Sequence, residues 1–306
     1  MLGYLWRRLP QSLGVVLGVS AVVFFLIRLI PGDPAMLMLP DGAPQAQIEQ
    51  LRRELGLDRA VVLQYVVFLG RAVRGDLGRS LFFDKPALAI IGAAIPNTLL
   101  LASCALGLAL ALAIPIGILS AVKRDSAWDT VGMGLATLGQ SLPPFWLGLM
   151  LMSVFAVALR WLPTTGMGTP AHLVLPSVTL GTYIMALTTR LVRSGMLDVL
   201  SEDYIRTARS KGLPERRVFL RHALRNLLIP IVTVVGLQLG SLLGGAIITE
   251  TVFAWPGVGT VVYRAIGSRD YPLIQAAVLV VSVYFIFINL AVDLLYTYLD
   301  PRIRYR

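Results

Sequence analysis

The 306-residue chain is 56% hydrophobic and 14% charged, with a mean hydropathy of +0.75; these values exclude an ordinary soluble domain and suit a protein with several membrane spans. The net charge of +10 raises nucleic acid as a partner, but the basic residues lie in loops beside apolar runs, which is how topology signals are arranged, so no nucleic-acid partner is expected. The single cysteine, Cys104, sits in an apolar run, permits no internal disulfide and reads as a packing residue.

Six segments are long and apolar enough to cross a bilayer: residues 13–30, 98–122, 130–159, 173–192, 227–249 and 273–299. Arg7 and Arg8 precede the first, as in a signal peptide. That stretch is long, however, and runs into Arg28 and Pro31-Gly32-Asp33-Pro34 without a small-residue cleavage site, so it reads as a retained helix. Residues 32–96 then combine a short amphipathic helix from Gln47 to Leu55 with turns around Arg74-Gly75-Asp76-Leu77-Gly78. The segment is too short for a large core of its own and reads as a small cap that packs on helix ends or on a partner. Pro143-Pro144 breaks the third span.

Between the fourth and fifth spans, residues 196–225 form a polar, basic island. Ser201 is a candidate N-cap, Glu202 and Asp203 suit a helix N-terminus, and residues 204–211 read as a short helix that Gly212 ends. Leu213-Pro214 restarts the chain, and Arg217, Arg221 and Arg225 follow at four-residue spacing. Two short helices joined at a bend are expected, outside the lipid because unpaired charge there costs several kcal/mol per residue. The bland reading is a solvated loop that only sets topology. Most of the 27 Lys and Arg fall on the side of this island, together with both termini, so that side is cytoplasmic.

The only lysines, Lys85, Lys123 and Lys211, stand outside any Gly-Lys-Ser/Thr context, so no P-loop is present. His172 and His222 fall on opposite sides of the expected membrane, which disfavours a zinc site or a serine hydrolase and leaves no metal ligands or catalytic residues to name. In the fifth span Gly236, Gly240 and Gly244 recur every fourth residue, with Gln238 and Ser241 beside them: either a seam between two subunits or packing inside one bundle. Residues 250–269 join the last spans through Phe253, Trp255 and Pro256-Gly257, an aromatic anchor or part of an external mouth. Asp293, inside the sixth span, is a functional candidate by default and either pairs with Arg190 or Arg193, the favoured reading, or takes part in transport. Asn97, Gln140, Ser141 and Asn289 face a hydrated route or bridge helices.

Asp203-Tyr204-Ile205-Arg206-Thr207-Ala208-Arg209-Ser210-Lys211-Gly212, then Arg221-His222-Ala223-Leu224-Arg225-Asn226 and Pro230, resemble the cytoplasmic loop of the dipeptide/oligopeptide/nickel branch of ABC-importer permeases. The likeness covers nearly the whole chain. It includes Pro31-Gly32-Asp33-Pro34, Glu54-Leu55-Gly56-Leu57-Asp58, Gly75-Asp76-Leu77-Gly78, Leu162-Pro163-Thr164-Thr165-Gly166, Glu250 to Gly259, Arg269-Asp270-Tyr271-Pro272 and Leu299-Asp300-Pro301-Arg302. The superfamily's loop motif begins Glu-Ala-Ala; here Arg206-Thr207-Ala208 stands in its place, and only Ala208 and Gly212 match strictly.

The resemblance implies an all-α integral membrane protein with six transmembrane helices, a type I ABC importer permease fold and a small extracytoplasmic insertion after the first helix. It divides the chain into an N-terminus and first helix (1–30), a cap (31–97), a permease core (98–299) with its coupling loop at 194–226, and a cytoplasmic tail (300–306). It implies a multi-pass subunit of the bacterial inner membrane that makes half of a translocation pathway. Its partners would be a second homologous permease, two ABC ATPase subunits and an extracytoplasmic substrate-binding protein. ATP and magnesium would be bound by the ATPases, with no cofactor on this chain. It assigns ATPase coupling to Tyr204, Thr207, Ala208, Arg209, Lys211 and Gly212, the pathway to Gly236, Gln238, Gly240, Ser241 and Gly244, and the external gate or docking surface to Glu250, Phe253, Trp255 and Arg79. A secondary transporter or channel working alone, and a membrane-embedded enzyme, are the other classes. The cargo stays open among dipeptides, longer peptides, glutathione and chelated nickel.

Overall fold

The computed structural model describes residues 2–29, 36, 42, 44–54 and 56–299, and the regular structure among them is helical apart from one isolated β-bridge between Arg79 and Pro86. The Pro31-Gly32-Asp33-Pro34 motif and the tail 300–306 lie outside the described residues. Five helices are long and apolar enough to cross a membrane, and a sixth crossing is available if a sharply bent helix pair counts as one. Chain contacts divide the molecule into two compact units: residues 1–96 with 257–287, and residues 97–256 with 288–306.

The first unit holds α1 (Leu2–Leu29), α2 (Gln45–Glu54), α3 (Val61–Val73), the start of α4 (Ala87–Val122), α11 (Val258–Gly267) and the start of α12 (Tyr271–Leu299). The cap is therefore not a separate body. Residues 87–96, expected within it, are already the first turns of α4. The helix α3 lies on α1 through aromatic rings, with Tyr65 and Phe68 5.1 and 5.7 Å from Phe24, and the Tyr65 and Ser20 hydroxyls share a hydrogen bond of 2.8 Å. Asp270 ties the cap turn to α12. Its buried carboxylate accepts from the Ser80 hydroxyl and from the Phe82 N–H at 3.1 Å, and caps α12 by accepting from the Leu273 N–H at 3.2 Å. Ile27, Leu77, Ile91, Val258, Ala265 and Leu273 close a core around this knot.

The second unit holds the rest of α4, α5 (Ala127–Ser141), α6 (Pro144–Leu151) continued by a π-helical stretch (Met152–Ala158), α7 (Ala171–Leu200) and α8 (Asp203–Ser210). It then runs through α9 (Glu215–Arg217), a second π-helical stretch (Val218–Ala223) and α10 (Leu224–Val252). The third span bends by 110° between α5 and α6. The cause is local: a residue before proline is driven from the helical region, and Pro143 accordingly sits at φ −61°, ψ 132° ahead of Pro144.

Among the unbroken spans, α7 is the most buried: half of its apolar window is covered, against 17–28% for the others. Lipid supplies no hydrophobic drive between helices, so close approach at small residues carries the packing. A Cβ on Gly181 of α7 would stand 2.6 Å from the Ala105 carbonyl of α4, and one on Gly117 of α4 would stand 2.8 Å from the Thr189 carbonyl of α7. Gly139 of α5 meets Thr182, and Gly195 of α7 meets Leu227 of α10, at similarly short range.

An ion pair finishes the bracing of α5 on α7. The Arg193 Nε and Nη2 donate to the two oxygens of buried Asp129 at 2.6 and 2.7 Å, and Asp129 also accepts from the Asp125 N–H. Arg190 donates to Gln140 Oε1 at 2.7 Å. Both arginines thus take partners on α5 in place of the expected Asp293, because Asp129 and Gln140 present acceptors within direct reach. Asp129→Ala strands the Arg193 charge and is expected to cost about 3 kcal/mol, whereas Asp129→Leu with Arg193→Met costs less than either single change. Thermal unfolding of the purified variants and wild type in detergent checks this.

Candidate functional site

The basic island folds as an elbow whose first arm is α8. Ile205 and Ala208, three residues apart, face inward at 0% and 6% exposure and join Val192 and Met196 of α7, Val218, Ala223 and Leu227 in one apolar cluster. Ala208 is therefore small because it packs against its own bundle, not because a partner approaches it. The outward face of α8 carries Tyr204, Arg206, Thr207 and Arg209, followed by Lys211. Tyr204 accepts a hydrogen bond from the Asn226 amide at 2.5 Å, and Arg209 grips Glu215 across the bend at 2.9 and 3.3 Å.

The bend itself is a Schellman turn. Gly212 adopts φ +73°, its N–H donates to the Arg209 carbonyl at 2.9 Å, and the Leu213 N–H reaches back to the Ala208 carbonyl at 3.4 Å. Leu213 then packs against the cluster that holds Ile205. The second arm is not a separate short helix as expected. Residues 215–252 continue without a break in helical backbone from α9 into α10, so the elbow's far arm is the beginning of the fifth span. Arg217, Arg221 and Arg225 are all exposed, but the intervening π-helical turns remove them from a regular α-helical face.

At the other end of α10 the expected docking residues are interior. Phe253 and Trp255 are each 1% exposed and Glu250 is 0% exposed, so these side chains do not offer a surface for a partner or an aromatic anchor in the headgroups. The Trp255 indole N–H donates to the Asn97 carbonyl at 3.0 Å, the Asn97 amide donates to the Pro256 carbonyl at 2.8 Å, and the Thr98 hydroxyl donates to Glu250 at 2.6 Å. The Gly166 N–H closes on the Phe253 carbonyl at 2.8 Å, which anchors the loop after the π-helical stretch. These residues clamp α4 to the end of α10. Of the four, only Arg79 is exposed, and it is held by Asp84 at 3.1 Å.

Along α10 the glycine ridge is graded: Gly236 is buried, Gly240 and Gln238 are half-buried, and Gly244 is exposed, with no atom of the described residues within 4 Å of where a methyl carbon on it would stand. The Ser241 side chain lies outside the described residues. Leu237 and Ile248 lie on the same uncovered side as Gly244. Residue spacing showed the ridge but not which glycines this chain itself covers. Asp129 and Ser80 escaped the sequence reading, and Asp270 entered it only within a family motif, although an Asp just before the apolar run of α12 is a recognisable cap signal.

Residues 113–305 match the family described as binding-protein-dependent transport system inner membrane component, and residues 1–102 match its N-terminal companion, the binding-protein-dependent transport system membrane component, N-term. The chain belongs to this family. It is similar to the glutathione transport system permease protein GsiC of Pectobacterium atrosepticum, with 46% identity over the full length of both chains. It is also 43% identical, again over the whole of both chains, to the dipeptide transport system permease protein DppB of Alkalihalophilus pseudofirmus. Among solved structures, the MetNI methionine ABC transporter in an inward-facing form aligns with a TM-score of 0.60 and 16% identity, covering 70% of this chain and 97% of that one. The protein is thus a multi-pass membrane permease subunit of an ABC importer of the peptide type, with the type I permease fold. No group of three or more His, Cys, Asp or Glu capable of holding a metal occurs among the described residues.

Thr98→Val removes one donor from the buried Glu250 carboxyl and is expected to lower stability by about 1–3 kcal/mol, read as a fall in the unfolding midpoint of the purified permease.

Proposed function

We propose that this chain forms one half of the translocation pathway of an ATP-driven peptide importer, working with a second homologous permease, two cytoplasmic ABC ATPases and an extracytoplasmic solute-binding protein. Both termini and the loop 194–226 face the cytoplasm, and ATP with magnesium is held by the ATPases, since the chain has no Gly-Lys-Ser/Thr sequence. The carrying observation is the elbow. A short helix with a polar outer face is bolted by Ile205, Ala208 and Leu213 to α7 and to the first turns of α10. A push on Tyr204, Thr207, Arg209 or Lys211 by a closing ATPase pair would therefore move two spans, because a packed cluster transmits displacement instead of absorbing it. Gly212 supplies the sharp exit that keeps both arms at this angle.

The uncovered side of α10 around Gly244 is the seam with the sister permease along which the route opens. Half-buried Gly240 continues that line, Gly236, Gln238 and Ser241 belong to the pathway by their spacing on the same helix, and the Glu250–Trp255 clamp holds its outer end to α4. The cargo is a small peptide, by the full-length similarity to permeases named for glutathione and for dipeptides. Arg79 belongs to the external docking surface.

Thr207→Glu with Lys211→Glu changes only exposed positions, so insertion and unfolding temperature should stay as in the wild type while ATP hydrolysis stimulated by the loaded binding protein falls about tenfold in the reconstituted complex. Unchanged stimulation refutes the elbow as the coupling element. Gly244→Leu meets no neighbour among the described residues and should fold normally yet reduce peptide uptake into vesicles by about tenfold or more. Full uptake would remove Gly244 from the seam.

A further inference from the structure

In the first unit α1, α3, the cap turn and the start of α12 enclose an open cavity of about 1000 Å³. Its rim is strongly basic, with Arg28, Arg52, Arg53, Arg59, Arg71 and Arg79 lining it against two acids among the described residues, Asp76 and Asp84. Both acids are engaged: Asp84 holds Arg79, and Asp76 accepts from the Gly78 N–H at 3.0 Å. Arg28, Arg59 and Arg71 meet no carboxylate among the described residues. Arg28 instead donates to Gln64 Oε1 at 2.9 and 3.0 Å and to the Phe24 carbonyl, with its guanidinium 3.4 Å above the Phe24 ring. Stacking and neutral acceptors fix the direction of that cation without neutralising it.

The apolar part of the wall is formed by Ile27, Val67, Phe68, Leu77 and Leu81, with Gln64, Ser80 and Gln275 adding neutral polar groups. Tyr271 also lines the cavity; it is 6% exposed, and its hydroxyl has no hydrogen-bond partner among the described residues. The depth fits an interface, since Arg28 stands one residue from the end of the first apolar span. The helix α3 keeps an apolar side uncovered, with Val62, Val66 and Val73 at 66%, 58% and 88% exposure, as a helix lying at the membrane surface does.

We propose that this cavity binds the phosphate headgroup of an anionic phospholipid, with Arg28, Arg59 and Arg71 on the phosphodiester and the apolar wall against the upper acyl chains. Unpaired guanidinium groups above a hydrocarbon wall match an amphiphile that carries its charge at one end. A free phosphate shares the charge but would fill a small fraction of the volume and leave the apolar wall unused.

The test uses the full-length chain in its purified transport complex, with bound lipid counted by native mass spectrometry after exchange into phosphatidylglycerol or phosphatidylcholine. Wild-type complex should retain phosphatidylglycerol preferentially, and Arg59→Gln with Arg71→Gln should lower that retention roughly thirtyfold, the effect of two basic side chains near an anionic headgroup. Arg160→Gln with Arg264→Gln removes equal charge elsewhere and should retain lipid as the wild type does. Equal retention in both double variants overturns the site. Full displacement of the lipid by inorganic phosphate would show a free-anion site instead. Unchanged lipid with weakened capture of the solute-binding protein would show a protein-docking patch. Either result also overturns the proposal.

Discussion

Inside lipid, helices gain nothing by hiding apolar side chains from water, so contact distance becomes the main resource for holding a bundle together. In this permease that resource is concentrated on α7. Gly181 lets the α4 backbone reach α7, Gly117 lets α7 reach α4, and Gly139 and Gly195 do the same for α5 and α10. A methyl group at Gly117 or Gly181 would collide with a neighbouring carbonyl oxygen, not with a flexible side-chain end, so the helices would have to part. The Asp129–Arg193 pair ties α5 to the same helix and offsets its desolvation because the helices are already close.

The elbow inherits this rigidity. It is attached where α7 ends and where α10 begins, and its apolar underside joins the cluster that includes Val192 and Met196. A solvated topology loop would need none of this. Burying two residues of an eight-residue polar helix, capping it with a left-handed glycine and bridging the bend with Arg209 and Glu215 give up conformational freedom for a defined angle. Such an angle has mechanical value at the base of two spans, which is why the geometry suits a coupling element.

The two ends of α10 are built to different purposes. Towards the elbow it starts with a π-helical stretch and exposed arginines; towards Phe253 it ends in a clamp with Trp255, Glu250 and Thr98 in the interior and Asn97 beside them. Between them lies a face that the chain itself leaves uncovered near Gly244. A helix fixed at both ends and open in the middle suits a seam with another subunit.

Composition and hydropathy alone set the class and the approximate positions of the spans, because transfer of apolar and charged groups into lipid depends on residue type and little else. Local chemistry was equally legible: Gly212 after Lys211 marked the helix end, and Pro143-Pro144 marked the break, since backbone dihedrals answer to the residues at hand. Burial was not. Trp255, Phe253 and Ala208 read as contact residues, yet they face inward, and whether an aromatic ring faces lipid, a partner or its own bundle depends on neighbours far away in sequence, such as Asn97 or Gly148. The pairing of Arg193 with Asp129 in place of Asp293, and the joining of the cap to the last span by Ser80 and Asp270, were likewise decided only by tertiary structure, because a charge selects the nearest oriented partner and proximity is a property of the folded chain.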